Sequence, residues 1–303
     1  MNKQEAVDMM TRYYRNPNPT PEDEFLFVEG VSYLIRVYHN PEDMHNLAFY
    51  YLEKRDFKLE QKYLEMAAEY GLDSAFEELG YMWYYGQTGT VDMQKAFEYF
   101  SIGAQSKDDI MRIACELKIA DMYHFGYYVE KDEKKYREII ERIFREAMHP
   151  QSLISRYHVA PLHEIAYRIA GIRMEDGEEE EALKLIEMAR ETTARILRDT
   201  IFWGNVEVMD NIVCMHHQIV DIPVWQYDIF DLFFVAKEPC VVVFYYLGAQ
   251  YRIEVVSDEE GTAIRFLGKW YRDARDFFEN ARLAGKRIAY LYRDFYCLDV
   301  LAA

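Results

Sequence analysis

The chain has few cysteines to hold it together covalently. Only four occur in 303 residues, at Cys115, Cys214, Cys240 and Cys297, and none stands in a Cys-x-x-Cys pair. A disulfide framework is therefore not expected, and reduced thiols point to the cytoplasm. No run of 18 apolar residues exists, which excludes a membrane-spanning helix. The opening stretch MNKQEAVDMMTRYYRNPNP lacks the apolar segment of a secretory signal. Catalytic signatures are missing too: there is no Gly-x-Ser-x-Gly, no Ser-x-x-Lys and no His-Glu-x-x-His. Gly261 to Gly268-Lys269 imitates a phosphate loop, but six residues separate its glycines instead of four, and Trp270 replaces the Ser or Thr.

Metal sites fare no better. His158 and His163 are five residues apart with Pro161 between them, so they share no helical face. Adjacent His216 and His217 on a helix point about 100° apart. All read as ordinary, partly exposed histidines. The run Asp176-Gly177-Glu178-Glu179-Glu180-Glu181 lacks the alternating ligands of a calcium loop and suits a helix start. No metal and no cofactor is expected.

What the chain has in quantity is apolar and acidic surface. Half its residues are hydrophobic and 16% are aromatic, with 26 tyrosines, enough to offset the entropy of ordering. The net charge is −18 and lies to one side: before Pro223 there are 25 basic against 41 acidic residues, after it 10 against 12. Such a surface repels nucleic-acid backbones and favours basic partners.

Residues 2–15 read as a short helix. Thr20 can cap the next, with Pro21 in its first turn and Glu22, Asp23 and Glu24 at its positive end. A fixed period then sets in. Gly86 to Gly126, Trp83 to Tyr123 and Lys95 to Lys135 are each 40 residues apart. Leu79-Gly80 keeps step with Ile119-Ala120. This pattern resembles the Sel-one-like repeat, matched by the first copy at Ala75, Leu79, Gly80, Gly86, Gly89, Val91, Asp92, Lys95, Ala96, Tyr99 and Ala104. Trp83 replaces the usual Tyr, and Ile143-Phe144 replaces the closing small pair of the second copy. The flanking units, around Ala48, Ala67-Ala68 and around Ala170, Ala182, Ala189, resemble tetratricopeptide repeats with a shorter turn. The resemblance covers about residues 42–190 and implies an α-solenoid of antiparallel helix pairs, in which small residues permit close crossings and glycines end helices. Residues 145–162 interrupt the period, and 191–219 read as helical.

Beyond Asp221-Ile222-Pro223 the pattern becomes alternating. Residues 224–236 read as a helix. Val241–Tyr246 and Tyr251–Val256 read as a hairpin turning on Gly248-Ala249, which pairs Tyr246 with Tyr251, Phe244 with Ile253 and Val242 with Val255. Thr262–Leu267 supplies a third strand, 273–284 a helix stopped by Gly285, and Cys297–Leu301 a final strand. The expected fold is mainly α: a helical-repeat domain over 1–222, then a small α+β domain with an antiparallel sheet over 223–303.

In related scaffolds the first helix of each pair lines the concave face. Carried onto this sequence, that face holds His45, Phe49 and Leu52, then Glu77, Tyr81 and Tyr84, then Leu117, Asp121 and His124, then Glu164 and Tyr167, each set on one helical face. The partner-binding candidates are His45, Phe49, Glu77, Tyr81, Tyr84, Asp121, His124 and Tyr167. Tyrosines offer large contact area and carboxylates select basic side chains. The expected function is a non-catalytic interaction scaffold in the cytoplasm, binding a protein or peptide with basic side chains and neither nucleic acid nor membrane. Two alternatives stand beside it: an acidic inhibitor or immunity-type protein neutralising a basic target, and an enzyme with a site where the solenoid meets the C-terminal domain.

Overall fold

A computed structural model describes the chain apart from residues 155–160, 200–202, 259–260, 292–294 and 303. His158 therefore lies outside the described residues. The chain divides into two compact units, Met1–Ile143 and Phe144–Ala303.

The first unit is built of helices: α1 (Lys3–Arg15), α2 (Pro21–Tyr38), α3 (Pro41–Glu53), α4 (Phe57–Glu69), α5 (Asp73–Tyr85), α6 (Met93–Gly103), α7 (Asp109–Phe125) and α8 (Glu133–Ala147), the last running past the unit's end. Consecutive helices pack as pairs, α1 on α2, α3 on α4 and α5 on α6. The start of α2 is as expected: the Thr20 hydroxyl accepts from the Asp23 amide, the Asp23 carboxylate accepts from the Thr20 amide, and Pro21 occupies the first turn.

The 40-residue period has a physical counterpart at each position. Gly86 and Gly126 take left-handed conformations, φ 64° and 72°, and end α5 and α7. Asp92 accepts from the Lys95 amide at 3.0 Å, and Asp132 from the Lys135 amide at 2.9 Å. The amides of the same two aspartates donate back to the carbonyls of Trp83 and Tyr123, at 3.0 and 2.9 Å. Each unit's lysine then lies over its own aromatic ring, Lys95 at 3.8 Å from Trp83 and Lys135 at 4.0 Å from Tyr123. Tyr123 also meets Phe97 of the preceding pair, ring to ring at 6.2 Å. The turn between paired helices is thus tied three ways: a glycine stop, an aspartate cap and a lysine on a ring.

Small residues mark the crossings. A Cβ on Gly80 would sit 2.5 Å from the Phe100 ring, and one on Gly103 2.5 Å from the Cys115 sulfur. Gly30 allows α2 to approach the carbonyl of Ala6 in α1. Phe100, Cys115, Ala96 and Met122 are fully buried around the Gly80 crossing.

The second unit contains α9 (Leu162–Glu175), α10 (Glu179–Asp199) and α11 (Trp203–Ile219), followed by a sheet. Its strands β1 (Cys240–Tyr246), β2 (Ala249–Asp258), β3 (Gly261–Phe266), β4 (Lys269–Tyr271) and β7 (Tyr296–Ala302) run antiparallel in the order β4-β3-β2-β1-β7. The short β5 (Arg282–Leu283) and β6 (Lys286–Arg287) pair by themselves. Helices that the sequence groups with the repeats share this unit's core. Ala194 and Leu197 of α10, and Val206, Met209 and Val213 of α11, are buried with Phe230, Phe244, Phe266 and Phe278.

Three details of the expected C-terminal structure are corrected. The first hairpin pairs Phe244 with Tyr251, Val242 with Ile253 and Tyr246 with Ala249, so its turn is Leu247-Gly248. Both turn residues have positive φ, 50° and 78°, the requirement of a turn matching strand twist. The shift is by two residues, so the same side chains still face the core. Residues 224–236 are two single turns, Val224–Gln226 and Ile229–Asp231, and the four-residue α12 (Leu232–Val235) in place of one helix. The helix after β4 is α13 (Ala274–Asn280); Gly285 does not stop it but joins Ala284 in the β5–β6 turn, at φ 79° and 51°.

Buried charge ties these turns to the helices. Arg190 of α10 donates to both oxygens of Asp231, at 3.1 and 2.8 Å, and lies 2.9 Å from Asp228. His217 of α11 joins Asp231 at 2.8 Å and stacks flat on Phe234 at 3.9 Å. Burial opposes the Asp231 charge, but the hydrogen bond from His217 and the Arg190 guanidinium hold its carboxyl below the usual range. His216 is pushed down to about 4, by burial and then by Arg190. The two histidines thus differ from simple surface groups in degree: His216 stays partly exposed, as expected, while the His217 side chain is 4% exposed and Asp231's 2%.

Two stability predictions follow from these contacts. Gly80→Val should lower the unfolding free energy by about 1–3 kcal/mol through overpacking against Phe100, and Phe100→Leu in the same chain should recover part of that loss in urea titrations. Asp231→Ala should cost about 3–5 kcal/mol by removing the bidentate partner of Arg190 and the partner of His217, with Asp228 left as that arginine's remaining carboxylate, and the urea midpoint should fall accordingly.

Candidate functional site

The face expected to hold a partner is distributed over α3, α5 and α7 in the first unit and α9 in the second. On α3, His45 is half-buried and its Nε2 meets the Glu78 carboxylate of α5 at 2.6 Å. That hydrogen bond raises the imidazole pKa against the opposing effect of burial. Phe49, one turn on, is 52% exposed. Leu52 and Glu77 are half-buried.

Tyr81 and Tyr84 are half-buried on α5, both edge-on to Phe100 at 5.4 and 6.3 Å. Burial, and after it the Asp121 charge, push the Tyr84 hydroxyl far up. Asp121 itself is buried on α7 beside the buried Lys118, 3.6 Å away. The Lys118 ammonium lies 5.6 Å from the Tyr81 ring. Leu117 is fully buried and belongs to the core, not to a surface. His124 packs on Tyr136 at 4.6 Å and meets Glu133 at 2.9 Å. Tyr167 is half-buried on α9, as is Glu164, whose carboxylate faces Arg168 at 3.4 Å.

The structure therefore gathers Tyr81, Tyr84, Lys118 and Asp121 into one knot around Phe100. A chain of rings continues from it. Tyr84 meets Tyr127 at 6.1 Å, Tyr127 meets Phe125 at 5.3 Å, and Phe125 meets His124 at 4.7 Å. Phe125, Tyr127 and Tyr128 are 55%, 38% and 54% exposed, so the chain ends on an open aromatic ledge. Helical spacing misses this ledge because Phe125 is the last residue of α7 and Tyr127 and Tyr128 lie in the turn beyond it. The signal was the string Phe125-Gly126-Tyr127-Tyr128, rings on both sides of a helix stop.

A second feature lies at the other end of the first unit. A cavity of about 260 Å³ opens between α1, α2 and α3, with Tyr13, Tyr14, Phe49, Tyr50 and Glu53 around it and Phe27 as its floor. Phe49 was expected at a surface, whereas Tyr13, Tyr14, Tyr50 and Glu53 were not singled out. The doublet Tyr13-Tyr14 ahead of the first repeat was the available hint.

The interior of the repeats holds a buried carboxyl, that of Glu60 on α4, whose Oε2 has no hydrogen-bond partner among the described residues. Burial first, and then the Glu78 charge, push its pKa up to about 7. Among the described residues no group of histidine, cysteine and carboxylate side chains could hold a metal ion, and no helix is long and apolar enough to cross a membrane.

No family model matches the chain. No curated protein matches it either. Among solved structures it is similar to a Sel1 repeat protein from Oxalobacter formigenes, with 17% identity over 71% of this chain and 79% of that one, at a TM-score of 0.47. It is also similar to a protective antigen present in uropathogenic Escherichia coli strains that displays an SLR fold, with 16% identity over 72% of this chain and 50% of that one, at a TM-score of 0.45. Likeness at this level carries no functional weight. The helical-repeat character of the chain rests on its recurring glycine stop, aspartate cap and lysine–aromatic stack.

Glu60 gives a pH prediction. Its proton is held more tightly in the folded chain, at about 7, than at the ordinary value of 4.5. Stability should therefore fall as pH rises from 4.5 to 7, because over that window the folded state binds more protons than the unfolded. Glu60→Gln should raise the melting temperature at pH 8 and leave it nearly unchanged at pH 4.5; an equal shift at both would refute the assignment.

Proposed function

We propose that the chain is a non-catalytic interaction scaffold of the cytoplasm, whose helical unit captures a protein or peptide partner rich in basic side chains. The observation that carries this reading is the aromatic ledge of Phe125, Tyr127 and Tyr128, continuous through Tyr84 with the rings of α5. Exposed rings in contiguous patches favour protein contact, since they bring large area with little side-chain entropy to lose. The charge balance supports the sign of the partner: residues 1–143 carry 27 acidic against 17 basic residues. His45, Phe49, Glu77 and His124 complete the proposed contact set in this unit, with Tyr81, Tyr84 and Asp121 as its buttress; Tyr167, on α9 of the second unit, stands as a separate candidate contact.

The enzyme alternative has less to stand on. The histidine and carboxylates that do converge, His217 with Asp228 and Asp231, are held by Arg190 with little solvent access. Their arrangement suits a structural tie.

Capture from an extract of the native host, read by mass spectrometry, tests the scaffold. The triple variant Phe49→Ala, His124→Ala, Tyr127→Ala should lose a partner that the parent retains, with an unchanged far-ultraviolet circular dichroism spectrum. Retention of the same partner at the same yield would count against the assigned surface.

A further inference from the structure

The cavity between α1, α2 and α3 has a composition that specifies more than generic stickiness. Its wall is aromatic: Tyr13, Tyr14, Phe27, Phe49 and Tyr50 all border it, with Glu53 at the rim and the Asn46 amide beside it. The rings are not parallel. Tyr13 and Tyr14 meet at 73°, Tyr14 and Phe27 at 82°, and Tyr13 and Tyr50 at 71°. Tyr13 with Phe27, at 31°, and Phe27 with Tyr50, at 41°, are tilted less steeply, and centroid separations of 4.5 to 6.0 Å keep Tyr13, Tyr14, Phe27 and Tyr50 in contact. Tyr14 and Phe49 are 59% and 52% exposed, so the mouth is open.

Each ring presents a negative face, which attracts a cation. Inclined rings surround a rounded ammonium better than a planar guanidinium, which needs faces parallel to its own plane. The apolar wall suits a methylene stem, and a carboxylate at the rim suits the charge. This neighbourhood already holds one such contact: the Lys54 ammonium lies 5.4 Å from the Tyr50 ring while bonded to Glu24 at 2.5 Å. Lys54 is committed to that pair and does not line the cavity. An anionic occupant would face Glu53 and the acidic excess of the unit.

We propose that this cavity is a lysine-anchor site: it receives the ammonium-bearing side chain of a lysine on a protein partner, with the stem against Tyr14 and Phe49 and the charge shared between the rings and Glu53. The proposal rests on the scaffold reading and deepens it, because Phe49 belongs to both surfaces.

The test uses the full chain and a capped five-residue peptide with one central lysine, titrated at 0.1 M salt while ring proton resonances are followed by nuclear magnetic resonance. Counterparts with central glutamine or arginine are run alongside. The lysine peptide should shift the resonances of Tyr13, Tyr14 and Tyr50, bind more tightly than the arginine peptide, and outbind the glutamine peptide. Phe49→Ala and Glu53→Gln should each weaken binding about three- to tenfold. Glu130→Gln, an exposed carboxylate on the α7–α8 turn, should leave it unchanged. Equal binding of the glutamine peptide, or equal loss with Glu130→Gln, would overturn the proposal. The two readings fail separately. A host partner captured equally well by the parent and by Glu53→Gln would overturn the anchor while sparing the scaffold. Peptide binding at the cavity without any captured partner would spare the anchor and count against the scaffold.

Discussion

The first unit depends on how closely its helices can approach. Where α5 meets α6 there is no room for a Cβ at residue 80, because the Phe100 ring occupies that space. The same economy recurs at Gly103 against Cys115 and at Gly30 against Ala6. Short interaxial distance puts Phe100 at the centre of a sealed contact, and Tyr81 and Tyr84 then lean on it from outside. The aromatic chain out to the ledge exists because that ring has nowhere else to go. Packing at a glycine thus sets the position of exposed rings more than one helix away.

Charge is handled differently in the two units. In the first, many acidic side chains are answered locally: Glu78 by His45, Asp121 by Lys118, Glu133 by His124 and Lys131. These pairs fix side-chain directions on the candidate face more than they add stability. In the second unit a single buried arginine organises two aspartates. Its role is to hold the irregular 224–236 segment against α10 and α11, where no regular backbone ladder could do so.

The helical half was legible because its chemistry recurs. Forty residues separate two glycines, two aspartates, two lysines and two rings, and each pair has the same job. The sheet was legible in its facing but not its register, since alternation fixes which side is buried while a two-residue slip changes nothing in that pattern. Leu247 at φ 50° defeated the turn assignment, because leucine is a poor indicator of left-handed backbone. The segment 224–236 misled for another reason: its apolar residues suit a helix, but Asp228 and Asp231 cap one another and break it into single turns. His217 looked like a surface histidine because nothing near it in sequence announces Arg190, 27 positions earlier. At the candidate surface, helical spacing placed Phe49 among exposed residues but also swept in Leu117, which the core claims. The ledge and the α1–α3 cavity were missed because both are made where elements meet, and spacing within one helix says nothing about such meetings.

The closure of each 40-residue unit has an evolutionary consequence. Glycine stop, aspartate cap and lysine stack all lie within one unit, so a duplicated unit would arrive with its turn already complete. Only the crossing residues must match a new neighbour, and these are small. A lineage could lengthen or shorten the array by whole units through recombination, changing the number of rings displayed while leaving each turn intact. Selection on the exposed side chains would then act on few positions per repeat, with the fold largely insulated from the change.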